Sequence, residues 1–398
     1  MSQTKAQLVS GTTAQDLTVD NINTTSINSG QTSGRKNLII NGAMQIAQRG
    51  TSVAATSGYK TVDRFKLDYS GADNGLDQSQ HTLTSSDTGP YAEGFRKSYH
   101  ITNGNQTSGA GAADFARIAY TIEAQDIATS GWDYTNPNSF ITLSYWIKSS
   151  IAYTTYINIS TSDGTVQNFT ATGIALSADT WKKVSVTIPG NANLQFDDNA
   201  NAGLLLSFIM FYGTNFTTSG HTLNTWSAAG DYSDQLPDMV STWWTTNDST
   251  YEITGVQLEV GSTASDFEHR PFADELALCQ RYFTAIDADG SIDNYAPLGI
   301  GRFYNSTLAQ VLINLPTTMR QPPTIEASST TAADTFAMNS GGDFTAHALN
   351  SISLNERSFN AVTLTLGSGT ISGQTTGMST TLYAHDTDVA KLGLTAEL

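Results

Sequence analysis

The stretch that decides the fold is YEITGVQLEVGSTASDFEHRPFADELALCQRYF, residues 251–283. Ile253, Val256, Leu258 and Val260 make a largely alternating apolar pattern, closed by Gly261. Alternation sends successive side chains to opposite faces, so this segment is a strand with one face in a core. Pro271 then suits a first helical turn, where its missing N–H costs nothing. Asp274 and Glu275 complement the positive end of a helix, and Arg281 the other end. Ala273, Leu276, Cys279 and Phe283 fall on one face at helical spacing. The spacing predicts a strand, a sharp turn and one linking helix over 271–283.

Outward from this stretch, short β-branched and aromatic runs recur on both sides. Upstream, strands are expected at 98–102, 116–123, 140–148, 155–159, 183–188 and 203–212, with a weaker one at 79–83. The run Leu38–Ile39–Ile40 reads as a strand covered on both sides. Its expected place is beside the last strand of the set. Trp146 and Trp181 are expected in the core. Downstream, candidates lie at 300–304, 309–315, 324–327, 335–338, 343–349, 351–354, 361–366 and 380–383, with 391–398 as a final strand. Gly, Asn, Asp and Pro punctuate the runs, the pattern of a two-sheet jelly roll. The expected fold is all-β. It comprises an extended N-terminal leader (1–35), a jelly-roll sandwich (36–270), the linking helix (271–283) and a small C-terminal β domain (284–398).

The segments ITGVQLEVGS and FEHRPFADELALCQRYF, with KNLIINGAMQIAQRGTS (36–52), VDRFKL (62–67), ITLSYWIKSS (141–150) and TWKKVSVTIPG (180–190), carry a further signal. Together they resemble a carbohydrate-binding-like sandwich module of bacteriophage tail-fibre and virion-appendage proteins. The resemblance implies a virion location and a homotrimer. It also implies attachment to other tail or virion proteins through the N-terminus. Host surface polysaccharide is the implied receptor.

Composition narrows the function classes. Of 398 residues, 19 are basic and 36 acidic, a net charge of −17. Such a surface repels phosphate, which excludes nucleic acid as a partner. A single cysteine, Cys279, excludes an intramolecular disulfide and a cysteine-built zinc site. The longest apolar run, 204–212, is far short of a membrane span. No signal peptide is expected, and synthesis in the host cytoplasm without membrane insertion is. The segment 287–293 reads as a turn rather than a calcium loop. Glu268–His269–Arg270 reads as salt-bridging within the fold. No catalytic residue, metal or cofactor is assigned, and the chain is read as a non-enzyme.

The polar loop 213–250 interleaves aromatics with Asn and Asp. A flat ring and planar polar groups are what a pyranose needs, so Trp226, Tyr232, Trp243 and Trp244 are the candidate glycan contacts. Adjacent residues of an extended segment point to opposite sides, so Trp243 or Trp244 is expected to be exposed. Trimeric assembly needs an apolar seam; Leu278 and Tyr282 on the helix, with Ile22 and Ile27 in the leader, are the candidates. The function read from the sequence is a receptor-binding tail fibre. The rivals are a purely structural appendage or capsid decoration, and a depolymerase tailspike.

Overall fold

A computed structural model describes residues 26–27, 30–31, 36–228, 235–287, 296–326, 336–339, 345–384 and 391–398. The fold is an all-β jelly-roll sandwich followed by a second β core. One sandwich sheet runs, in spatial order, β14 (Trp226–Ala228), β10 (Gln167–Thr170), β9 (Thr154–Thr161), β13 (Ala202–Tyr212), β7 (Phe115–Glu123) and β4 (Lys66–Ser70). A short β11 (Ile174–Ala175) also pairs with β9. The other sheet runs β12 (Lys182–Pro189), β8 (Phe140–Ser149), β15 (Thr250–Val260), β6 (Lys97–Thr102), β5 (Asp77–Thr82) and β3 (Ser52–Val53). Every pairing between named strands is antiparallel. The inner faces interlock: Tyr145 of β8 meets Phe208 of β13 edge-on at 4.9 Å. Three short helices interrupt the described strands: α1 (Ala124–Ala128), α2 (Thr242–Thr245) and α3 (Phe272–Gln280). None is long and apolar enough to cross a membrane.

The run 38–40 is buried but forms no strand. Asn37 replaces ladder pairing there. Its Oδ1 accepts from the Ile39 N–H at 2.9 Å and from the Leu258 N–H at 3.0 Å. The Leu38 N–H reaches the Leu258 carbonyl at 2.9 Å, so this first segment does lie beside β15. Of the leader, β1 (Ser26–Ile27) and β2 (Gly30–Gln31) pair as a hairpin, with Ile27 opposite Gly30. Ile22 lies outside the described residues, as does the turn expected at 287–293 apart from Asp287, which ends a strand.

The second core is built by two sheets. One is β16 (Phe283–Asp287), β25 (Lys391–Thr395) and β19 (Thr324–Ile325). The other runs β21 (Ala346–Ala348), β20 (Phe336–Asn339), β24 (Ser379–Ala384), β17 (Pro297–Phe303), β18 (Leu308–Asn314), β23 (Ala361–Gly367) and β22 (Ser351–Arg357).

α3 departs from its expected apolar stripe. It buries Glu275 and Cys279, while Ala273 is exposed and Phe283 belongs to β16. The reason is polar. Glu275 accepts from the Asn41 N–H and from Arg270, which anchors the first turn through a carboxylate instead of an alanine. Tyr282 is not free for another chain. Only 1% exposed, its hydroxyl donates to Glu123 and its ring lies 3.4 Å from the Arg64 guanidinium carbon. Leu278 is half-buried against the cluster of Ile40, Ile46, Cys279 and Tyr282. Of the seam expected at Leu278 and Tyr282, Tyr282 is taken up from within the chain and Leu278 is partly so.

Charged groups stitch the sandwich to the second core. Arg49 lies 3.3 Å from Glu326 and 3.3 Å from Glu397, and Arg64 pairs with Glu397. Arg320 donates to the Ala200, Ala396 and Glu397 carbonyls. Beside them Asp63 is buried and accepts from the Gln48 backbone and side-chain N–H groups. Burial outweighs Arg49 and the Gln48 bonds and pushes its carboxyl up to about 6. An acid held above its unfolded value binds its proton more tightly when folded. Stability is then greatest below about pH 4 for this group and falls as pH rises through about 6. We predict that Asp63→Asn removes a decline of about 2–3 kcal/mol between pH 4 and 7. Urea unfolding of both proteins at the two pH values checks it; parallel pH profiles would contradict it.

Candidate functional site

The sequence-predicted aromatics go inward. Trp243 and Trp244 are fully buried, and Trp226 is 6% exposed. The expectation of an exposed ring at 243 or 244 is overturned because the pair sits on α2, not on an extended segment. Neighbours on a helical turn are about 100° apart, so both rings can enter one core. Trp244 stacks on Phe211 at 5.5 Å and donates to the Gly109 carbonyl at 3.1 Å. Trp243 donates to the Thr250 carbonyl at 3.0 Å. Trp226 packs on Phe169 and donates to the Pro189 carbonyl at 2.7 Å. Tyr232 lies outside the described residues. Trp226, Trp243 and Trp244 are thus buried and not offered to a sugar.

The chemistry gathers instead on the outer face of the β12–β8–β15–β6–β5 sheet. Strand alternation and register build it. Lys183 is opposite Trp146, and Trp146 is opposite Thr254. One row along, Lys148, Glu252, His100 and Ser79 stand side by side on β8, β15, β6 and β5. The register shifts between Thr254 and Gln257, where Gly255 adopts φ +63°. A Cβ at Gly255 would meet the Phe95 ring at 2.6 Å, so the bulge needs glycine.

Glu252 is the centre of the row. It is 2% exposed in total. Its Oε1 lies 2.9 Å from the Lys148 ammonium and 3.2 Å from His100 Nδ1. Its Oε2 accepts from Ser98 at 2.8 Å and lies 3.2 Å from His81 Nδ1. Burial alone would raise this carboxyl. The imidazole hydrogen bonds and the charges of His100 and Lys148 overcome it and hold the group well below the usual carboxylate range. The Glu252 hydrogen bond raises His81, against some burial. Lys148 is raised too, because Glu252 and Asp87 outweigh its burial. His81, His100 and Glu252 offer three donor atoms within 4.8 Å of one another, the donor types a divalent ion takes.

Two tryptophans expected in the core flank this row, half-buried. Trp181 donates to Asp87 at 3.0 Å, and the Lys148 ammonium stands 4.8 Å from its ring centroid. Trp146 donates to Glu93 at 3.0 Å, and Glu93 also holds Lys183 at 2.8 Å. The loop carrying Asp87, Tyr91 and Glu93 presses on Trp146. At Gly89, with φ +102°, a Cβ would fall 2.7 Å from that ring. Lys183 also lines a groove of about 390 Å³ along the free edge of β12, with Thr172, Ile174, Lys182, Val184 and Asn224. That volume is in the range of small-ligand clefts, about 300–1,000 Å³. The expected internal pairing of 268–270 is present: Arg270 holds Glu268 at 2.9 Å and Glu275 at 3.3 Å.

No protein-family model matches this chain, and no curated protein sequence does. Among solved structures it is similar to the enzymatically active domain of bacteriophage CBA120 tailspike protein 4, at 11% identity and TM-score 0.29. That likeness covers 56% of this chain but only 21% of the tailspike domain. It is also similar to the N-terminal cellulose-binding domain of Cellulomonas fimi β-1,4-glucanase C, at 12% identity and TM-score 0.26, over 55% of this chain and 99% of that one. A third is the family 11 carbohydrate-binding module of Clostridium thermocellum, at 10% identity and TM-score 0.25, over 55% and 97% of the two chains. Likenesses this loose say nothing about a ligand.

Removing the Glu252 carboxylate leaves Lys148, His81 and His100 facing one another without it. We predict that Glu252→Ala costs about 3–5 kcal/mol, the usual result of breaking a buried charge cluster on one side. Denaturant unfolding at neutral pH measures it, and a loss below about 1 kcal/mol, the value of a surface pair, would show the cluster to be energetically idle.

Proposed function

We propose that this chain is a non-enzymatic glycan-binding adhesin carried on a bacteriophage tail fibre or similar appendage. The single observation that carries the binding reading is the pair Trp146 and Trp181. Both rings are half-buried on one sheet face, and both indole N–H groups are fixed by carboxylates. A tethered indole loses little freedom when a sugar ring lies on it. Lys148, Lys183, Asp87 and Glu93 supply the surrounding donors and acceptors that hydroxyl groups require. The edge groove beside Lys183 gives a chain of sugars room to continue.

The appendage role rests on the motif series between Lys36 and Phe283 and its resemblance to virion sandwich modules. The homotrimer rests on the same resemblance and not on α3. Three copies on one fibre turn a weak site into tight attachment. The N-terminal leader is the proposed attachment to the virion.

The test is a glycan array with the intact protein, followed by titration calorimetry on the best glycan. Trp146→Ala and Trp181→Ala should each weaken binding about tenfold or more, a loss of about 1.4 kcal/mol. Their far-UV circular dichroism should match that of the parent. Undiminished binding in both folded variants would overturn the site. Release of new reducing ends from the bound glycan would replace the adhesin reading with the depolymerase one.

A further inference from the structure

The geometry points to a divalent transition-metal site, of zinc type, formed by His81, His100 and Glu252 on the outer face of the sandwich. The inference is independent of glycan binding. It begins with topology. Three adjacent strands, β5, β6 and β15, each send one donor side chain to the same spot. Both imidazoles turn Nδ1 towards one carboxylate, each at 3.2 Å. The two contacts fall on different oxygens, Oε2 for His81 and Oε1 for His100, so an ion would sit between the two rings and the edge of the carboxylate. The three donor atoms lie within 4.8 Å of one another, and the His81 ring is exposed.

His100 Nδ1 is buried, and the atom facing it is Glu252 Oε1 at 3.2 Å. A buried imidazole nitrogen aimed at a carboxylate becomes a ligand atom once an ion lies between them. The outer contacts are those a metal site uses. His100 Nε2 lies 3.1 Å from the Thr102 hydroxyl, and Ser98 donates to Glu252 Oε2 at 2.8 Å. Such contacts fix ring orientation and carboxylate direction. Lys148 opposes a second cation, but Asp87 stands 3.3 Å from its ammonium and can take it over. Two imidazoles and a carboxylate favour zinc or a neighbouring late divalent ion over calcium or magnesium. One water ligand would complete a tetrahedral shell on the side where His81 is exposed.

The test is calorimetric titration of the full chain with zinc sulfate in metal-free buffer. One ion per chain should bind, with X-ray absorption showing two imidazoles among nitrogen and oxygen neighbours at about 2.0–2.1 Å. His81→Gln and His100→Gln should each weaken uptake more than about 100-fold, beyond the loss typical of an outer-contact change. His347→Gln, on the second core, should leave it unchanged. His81 is half exposed, so its variant decides the question even if His100→Gln fails to fold. No zinc uptake by the parent, or equal uptake by a folded His81→Gln, would overturn the site.

Discussion

The structure turns on one buried cation. Arg64 is 1% exposed, adopts φ 72° and sits where the sandwich, α3 and the second core converge. A guanidinium cannot shed its charge inside a protein, so everything near it must answer that charge. Glu397 does so directly, while Tyr282 and Tyr120 turn their ring faces to it at 3.4 and 5.2 Å. Burial opposes the charge, but Glu397 and these tyrosines hold it firmly protonated. Tyr282 passes the constraint on to Glu123, which Arg281 also clamps with two 2.8 Å bonds. The helix position, the end of β7 and the C-terminal segment are therefore set by one electrostatic demand.

β15 shows how one strand serves two purposes. Its inner residues Tyr251, Ile253, Val256 and Leu258 belong to the sandwich core. Its outer residues Glu252, Thr254, Gln257 and Glu259 are equally buried yet polar. Loops folded over the sheet and the neighbouring strands satisfy them: Gln257 donates to Glu259, and Thr254 to the Lys97 carbonyl. The outer face is thus a second, hydrogen-bonded layer on which the two tryptophans rest.

Much of the sheet structure was legible because alternation is local. The sandwich strands of five residues or more, except β4, coincide within a few residues with segments marked by their apolar rhythm. The candidate site was not legible for the opposite reason. His81, His100 and Glu252 meet only through the register of three strands, and Glu252 lies 171 residues from His81. The polar beat of Glu252, Thr254, Gln257 and Glu259 was a usable sign that the far face of this strand is covered. Trp243 and Trp244 misled because four residues of helix inside a polar loop leave no periodicity to read. Leu278 and Tyr282 misled because a helix apolar on two sides was assigned a foreign partner. Its own neighbours Ile40, Ile46 and Arg64 already fill that role.

The Arg64–Glu397 pair also orders events in time. Its members are 333 residues apart in sequence. At about 5–20 residues per second, synthesis separates their appearance by tens of seconds. Most of the sandwich strands appear within that interval, the last of them Thr250–Val260, and when that strand is complete Arg64 still lacks both Tyr282 and its carboxylate. The nascent sandwich must therefore keep that corner open to water. It can close only once the strand Lys391–Thr395 is made and pairs beside Phe283–Asp287, bringing Glu397 to Arg64.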